Sequence, residues 1–203
     1  MMQSYQLPQF PPDFSCVHAA LYIDVSDADL LRKRLITAST AEGLTGARER
    51  DAVNFAFIEA RLITSADHLR TAIYQAVLAA AQGGLRTKTV HSEIIWALNP
   101  TNNITEAMRR YGVSDTTSAL VVVRIAGPEL LPASVEADMD AVVTGTKASF
   151  AALHDLTDWP AVKKYYKLGN EAGIRDAKDD PEREHAVVDH IVVSSVAMKS
   201  VMA

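Results

Sequence analysis

The run "SALVVVRIA", residues 118–126, restricts the fold of this chain more than any other stretch. Its β-branched residues favour extended backbone. It is apolar on both of the faces that a period of two defines. Such a strand belongs in the middle of a sheet with cover on each side. Two more strands fit, "CVHAALYIDV" at 16–25 and the alternating aromatic run from Val53 to about Ala60.

Helical spacing accounts for much of the remainder. Ser26 caps "DADLLRKRLI", with Leu30, Leu31 and Leu35 on one side. Ser65 caps a longer helix whose Leu69, Ile73, Ala76, Val77 and Ala80 form an apolar stripe, ended by Gly83 and Gly84. Two short helices are expected at about 92–98 and 102–111, the second closed by Gly112 as a left-handed cap. Further helices are read at 134–143, 146–156 and over "WPAVKKYYKL". In the tail, Val187, Ile191, Ser194, Met198 and Val201 follow a helical stripe, although its valines also suit a strand. Residues 37–51 read as a loop or a helix tail running into one, and the charged stretch 169–184 as a flexible insertion. The expected architecture is α/β: a single domain over 1–203, with a small mixed β-sheet flanked by several α-helices.

With 203 residues, 48% of them hydrophobic, the chain is long enough to bury its own core. No apolar run approaches the roughly 20 residues of a membrane span, and the N-terminus has no secretory signal pattern. A single cysteine, Cys16, makes an intrachain disulfide impossible and points to a reducing compartment, the cytosol or nucleus. The net charge of −5 argues against a protein that coats nucleic acid. A local basic patch is still possible, because residues 85–112 hold four bases against two acids.

Motifs for chemistry are scarce. His185 and His190 are five apart and miss the i, i+4 pairing of helical zinc sites, so no metal is expected. There is no nucleophile elbow and no phosphate loop, and no cofactor is expected. "HSE" at 91–93 sets three reactive side chains in series, where neighbours on a turn diverge. Local physics explains part of the stretch "TVHSEIIWALNPTNNI", 89–104. Ser92 serves as a helix cap, and Glu93 sits at the favourable end of the helix dipole. Ile94, Ile95 and Leu98 form a buried face, Asn99 and Pro100 stop the helix, and Asn102 or Asn103 caps the next. His91, the second asparagine and the flanking bases are left without a task. An enzyme using His91 and Glu93 as acid and base is the rival reading, and it requires a deep pocket.

Residues 88–115, "KTVHSEIIWALNPTNNITEAMRRYGVSD", closely resemble the signature of the TPRKB family, the kinase-binding small subunit of the KEOPS (EKC) complex. The matching elements are His91-Ser92-Glu93-Ile94, Leu98, Asn102-Asn103-Ile104, Ala107 and the Gly112 turn. "DWPAVKKYYKL" and "VVSSVAMKS" match later family segments in order, and 169–184 looks like an addition to the family pattern.

The resemblance implies a non-catalytic subunit that binds and stimulates a small atypical kinase-ATPase. Contact with the threonylcarbamoyl transferase and other KEOPS subunits would be indirect. The C-terminal helix would carry the kinase contact, through Val188, Ile191, Val192, Ser195, Val196, Met198 and Lys199. The resemblance also implies a hold on the 3′ end of tRNA, through Arg86, Lys88, His91, Asn102, Asn103, Arg109 and Arg110. A kinase-binding adaptor that touches no RNA is the alternative. Cytoplasm and nucleus are the expected locations, with no membrane contact.

Overall fold

The structure, a computed structural model, describes residues 2–202. Five strands form one sheet: β1 (Gln3–Gln6), β2 (Cys16–Ile23), β3 (Ala56–Glu59), β4 (Leu120–Ala126) and β5 (Thr146–Ala148). The order is β1-β2-β4-β3, and β5 lies beyond β1 on the same side of β2. The α/β class and the single sheet are as expected. The pairings are antiparallel throughout, where the sequence suggested a mixed order.

Among the described residues ten α-helices surround the sheet: α1 (Ala28–Thr40), α2 (Gly43–Ala52), α3 (Ala66–Ala81), α4 (Val90–Leu98), α5 (Ile104–Tyr111), α6 (Pro132–Val142), α7 (Leu153–Leu156), α8 (Trp159–Tyr165), α9 (Ala172–Ala177) and α10 (Pro181–Met202). The period of two in β4 assigns its residues to two cores. Val121, Val123 and Ile125 face a core shared with α3, α4, α5, α8 and α10. Leu120 and Val122 face a second core with α1 and α6. The cross-strand register keeps each set together: Ala19 and Ala56 both lie opposite Val123, and Leu21 and Ile58 opposite Val121.

Several local expectations are corrected. Residues 37–51 are not a loop: α1 runs to Thr40 and α2 follows after a tight turn. Polar contacts hold α2, namely the Arg34–Glu49 ion pair and Arg50 donating to the carbonyls of Ala38 and Ala41, so no apolar stripe announces it. Gly46 is needed at that turn, because a Cβ there would lie 2.2 Å from the Ala41 carbonyl oxygen. Residues 146–156 are not one helix, because Thr146–Ala148 pairs with β2 as a strand before α7 begins. The segment 169–184 is helical, comprising α9 and the start of α10. Ile174 and Ala177 bury themselves within its charge run, and Glu184 pairs with Lys163. Gly112 closes α5 with a φ of −79°, so it is not left-handed. What it supplies is room, since a Cβ would lie 2.5 Å from the Met108 carbonyl oxygen.

Two buried histidines tie helices to this frame. His91 of α4 accepts at Nε2 from the backbone N–H of Ile125, at 2.9 Å. His68 of α3 accepts at Nδ1 from the Thr64 backbone N–H, and the Thr64 hydroxyl donates to Asp189 of α10 at 2.6 Å. Burial pulls both imidazole pKa values down to about 3. Both rings therefore stay neutral in the fold, while in the unfolded chain they take up protons near pH 6.5. Between those values the unfolded state binds more protons, so stability falls as pH falls. Each histidine contributes a slope of roughly 1.4 kcal/mol per pH unit. Urea unfolding measured from pH 7 to 5 should show this decline. The variant His91→Gln should lose stability less steeply by about one proton; an unchanged slope means that the ring is not held neutral.

Candidate functional site

The hairpin of α4 and α5 carries most of the residues singled out in the sequence. Its first turn is a reciprocal cap. Thr89 Oγ1 accepts from the Ser92 backbone N–H, and Ser92 Oγ accepts from that of Thr89, both at 3.1 Å. Ser92 is thus the third residue of the box and not the cap itself, because the helix starts two residues earlier than its apolar pattern shows. Glu93 is buried and accepts from the backbone N–H groups of Arg86 and Thr87 and from the Thr87 hydroxyl, at 2.6–3.1 Å. It staples the incoming loop to the helix.

Both members of the suggested acid–base pair are engaged within the fold. His91 spends Nε2 on a strand N–H, and Glu93 spends both oxygens on a loop. His91 is only 5% exposed, and that small surface faces a groove it shares with Lys88 and Arg109. Among the described residues no three His, Cys, Asp or Glu side chains converge on a possible metal position. No helix among them is long and apolar enough to cross a membrane.

The far end of the hairpin is a second polar frame. Asn99 is fully buried; its amide nitrogen donates to Thr101 and its Oδ1 accepts from Arg110. Arg110 also pairs with Glu106 at 2.6 Å and lies 4.4 Å over the Tyr165 ring. The Thr101 hydroxyl bonded to Glu106 holds that carboxyl below its usual range. Arg110 is therefore a clamp inside the fold and is not available to a phosphate. Asn103 caps α5, its Oδ1 accepting from the Glu106 N–H at 2.9 Å. Asn102 is exposed and gives only its backbone carbonyl, to Trp96 Nε1.

Arg86, Lys88 and Arg109 are exposed and make no ion pair among the described residues. Lys88 and Arg109 stand beside a groove of about 1380 Å³ between the hairpin and α1–α2, whose apolar lining includes Leu35, Ile36, Ile95 and Met108. Of the seven residues assigned to RNA, the structure gathers Lys88, His91 and Arg109 at the groove, sets Arg86 at a separate cavity lined also by Trp96 and Lys199, and leaves Asn102 at the opposite end of the hairpin.

The terminal helix divides by its own period. Val188, Val192 and Val196 point into the core, at 0–2% exposure, which corrects their assignment to a partner surface. Ile191 and Ser195 lie half-buried at the margin. The outer face carries Ala186, His190, Ser194, Ala197, Met198 and Val201, of which Met198 is 50% and Val201 76% exposed. The stripe read from the sequence divides: Val187 and Ile191 pack half-buried against the core, whereas Ser194, Met198 and Val201 lie on the outer face.

Lys199 is also turned inward. Its Nζ donates to the carbonyls of Trp96 at 2.6 Å, Thr101 at 2.9 Å and Asn99, and sits 4.1 Å over the Trp96 ring. Burial pulls its pKa down to about 8. Three carbonyl dipoles at the end of α4 favour the ammonium form at neutral pH. A kinase cannot reach this group in the structure as folded.

The family model described as kinase binding protein CGI-121 matches residues 22–200. An EKC/KEOPS complex subunit CGI121 from Cryptococcus neoformans is 34% identical over 99% of this chain and 100% of its own length. The subunit cgi121 of Aspergillus fumigatus is 34% identical over 86% of the chain and 87% of its own length. That of Neurospora crassa is 32% identical over 98% of each. The reciprocal cap, the hairpin frame and the two-faced terminal helix thus lie within a match covering nearly the whole chain, which belongs to the CGI-121 family of kinase-binding proteins.

Proposed function

We propose that this chain is the subunit of an EKC/KEOPS-type assembly that binds and stimulates the small kinase and contributes to tRNA recruitment. The observation that carries the kinase reading is the outer face of α10. Met198 and Val201 are large, apolar and exposed on a helix whose core stripe is already complete without them. A helix presenting such anchors suits docking against a partner. The role is one of binding, because the two side chains best suited to acid–base chemistry, His91 and Glu93, are committed to backbone groups. Its site of action would be the cytoplasm and nucleus.

The tRNA reading rests on Lys88 and Arg109, which make no ion pair among the described residues of a chain of net charge −5 and stand with His91 at a groove with an apolar lining, and on exposed Arg86. Phosphates of a single-stranded end match the bases, and nucleobase faces match apolar surface. The adaptor reading keeps the kinase contact and drops this one.

Replacing Met198 or Val201 with Asp should weaken kinase binding by about 2 kcal/mol or more, roughly thirtyfold, with the melting temperature unchanged. Val192→Asp should instead unfold the chain, since it places a charge in the core. Calorimetric titration of the kinase together with thermal melts distinguishes the two classes. Equal kinase affinity in the Met198 and Val201 variants would mean that the partner docks elsewhere.

For RNA, Lys88→Ala and Arg109→Ala should each reduce the slope of log affinity against log salt by about 0.7, the value for one single-strand phosphate contact. Gel shifts with tRNA trimmed of its terminal CCA should show sharply weaker binding. Equal affinity for trimmed and intact tRNA removes the 3′-end reading and leaves the adaptor.

A further inference from the structure

The last turn of α10 has an unusual anchor. Val196 is the final apolar side chain of the helix to reach the core, and Ala197, Met198, Ser200 and Val201 beyond it are exposed. What holds the turn down is polar. Gln75 donates to the Ala197 carbonyl at 2.9 Å, and Lys199 reaches inward to the carbonyls of Trp96, Asn99 and Thr101. A terminal turn without apolar cover opens easily, so the seating of Lys199 decides whether this one stays closed.

The other side of the contact is the connection between α4 and α5. Asn99 and Thr101, two of the three residues whose carbonyls accept in this cradle, belong to that connection, and Trp96 lies in the last turn of α4. Trp96 supplies the ring under the ammonium and donates its indole N–H to the Asn102 carbonyl at 3.3 Å. Thr101 bonds Glu106, which pairs with Arg110, which bonds Asn99. One ammonium thus joins the end of the chain to a closed ring of hydrogen bonds about 100 residues away in sequence.

We infer that Lys199 is a positioning residue that links docking of the kinase on the outer face of α10 to the order of the Asn99–Asn103 turn. The inference rests on the functional reading above, since it needs the kinase on Met198 and Val201. A partner gripping those side chains holds the last turn closed, keeps the ammonium on its three carbonyls and so fixes the turn that displays Asn102. By reciprocity, anything that orders the turn strengthens kinase binding by the same factor. The linkage acts through the population of the closed turn and needs no second folded shape.

Hydrogen–deuterium exchange on the full chain tests this, with and without the purified KEOPS kinase subunit. In the free chain, Lys199→Met should speed exchange across 99–103 at least fivefold and leave the amides of β4 unchanged. Unaltered exchange at 99–103 overturns the clamp. With saturating kinase, the wild-type turn should gain at least fivefold protection and the Lys199→Met turn none. Protection gained equally by both overturns the linkage. Lys199→Arg should restore protection, because it keeps the charge and a cavity of about 280 Å³ beside Lys199 has room for the larger head. If the Met variant does not fold, Lys199→Gln replaces it, and the same two comparisons decide. A wild type that binds no kinase overturns the functional reading and the linkage together. That failure is recognised by a free-chain effect of Lys199→Met that persists.

Discussion

Ile125 presents a backbone N–H that no neighbouring strand meets, and His91 answers it. β3 pairs with β4 only from Ala56, opposite Val123, so beyond that point β4 has no strand on this side. A buried N–H left unpaired costs about 1–3 kcal/mol. Supplying a side-chain acceptor fixes where the α4–α5 hairpin must lie, with the start of α4 against the open flank of the central strand. The bridge between Ile58 and Gly112 then closes the other end of β3 against the same hairpin. With the hairpin placed, the cleft toward α1–α2 and the cradle for Lys199 follow as its two sides.

The polar groups inside this region share one logic. Glu93, Asn99, Arg110 and Lys199 are buried or nearly so, and most of their partners are backbone groups at loops and helix ends. Apolar side chains would fill the same volume. They would not fix the direction of the chain at a loop that no strand or helix disciplines. Buried polar groups are costly unless every member is paired, and a frame of this sort therefore allows few alternative loop paths. Within the hairpin this frame ties the connecting turn to both helices, while Lys88 and Arg109 are exposed at its edge and make no ion pair among the described residues.

How much of this was legible in the sequence depends on whether the signal was local. β4 was legible because a run of β-branched apolar residues has few other uses. α3 was legible because stripe, cap and terminating glycines agree. β5 was not, because "TKA" carries no strand signal and becomes a strand only by pairing with Leu21–Ile23. α2 was missed because what holds it is guanidinium and carbonyl, which leave no periodicity. At the site, Lys88 and Arg109 are exposed as charged residues usually are, whereas Arg110, one residue on, turns inward. Two adjacent arginines on a helix point about 100° apart, and only the position of Asn99 and Tyr165 reveals which one turns inward. His91 was left over by local reasoning because its partner is 34 residues away.

The terminal helix shows the same limit and also the way around it. Its valines are numerous enough to suggest a partner surface, yet Val188, Val192 and Val196 recur every four residues and form the stripe that meets the core. Continuing that stripe by three arrives at Lys199, where a fourth apolar residue would be expected. A lysine in an apolar register is a local contradiction, and such a contradiction has a cause elsewhere in the chain. Here the cause is the end of α4, whose unsatisfied carbonyls call for a donor with several hydrogens. The core stripe thus ends in a charge because the element it meets changes from helix flank to helix end. The outer face, relieved of any duty to the core, is left to whatever the assembly provides.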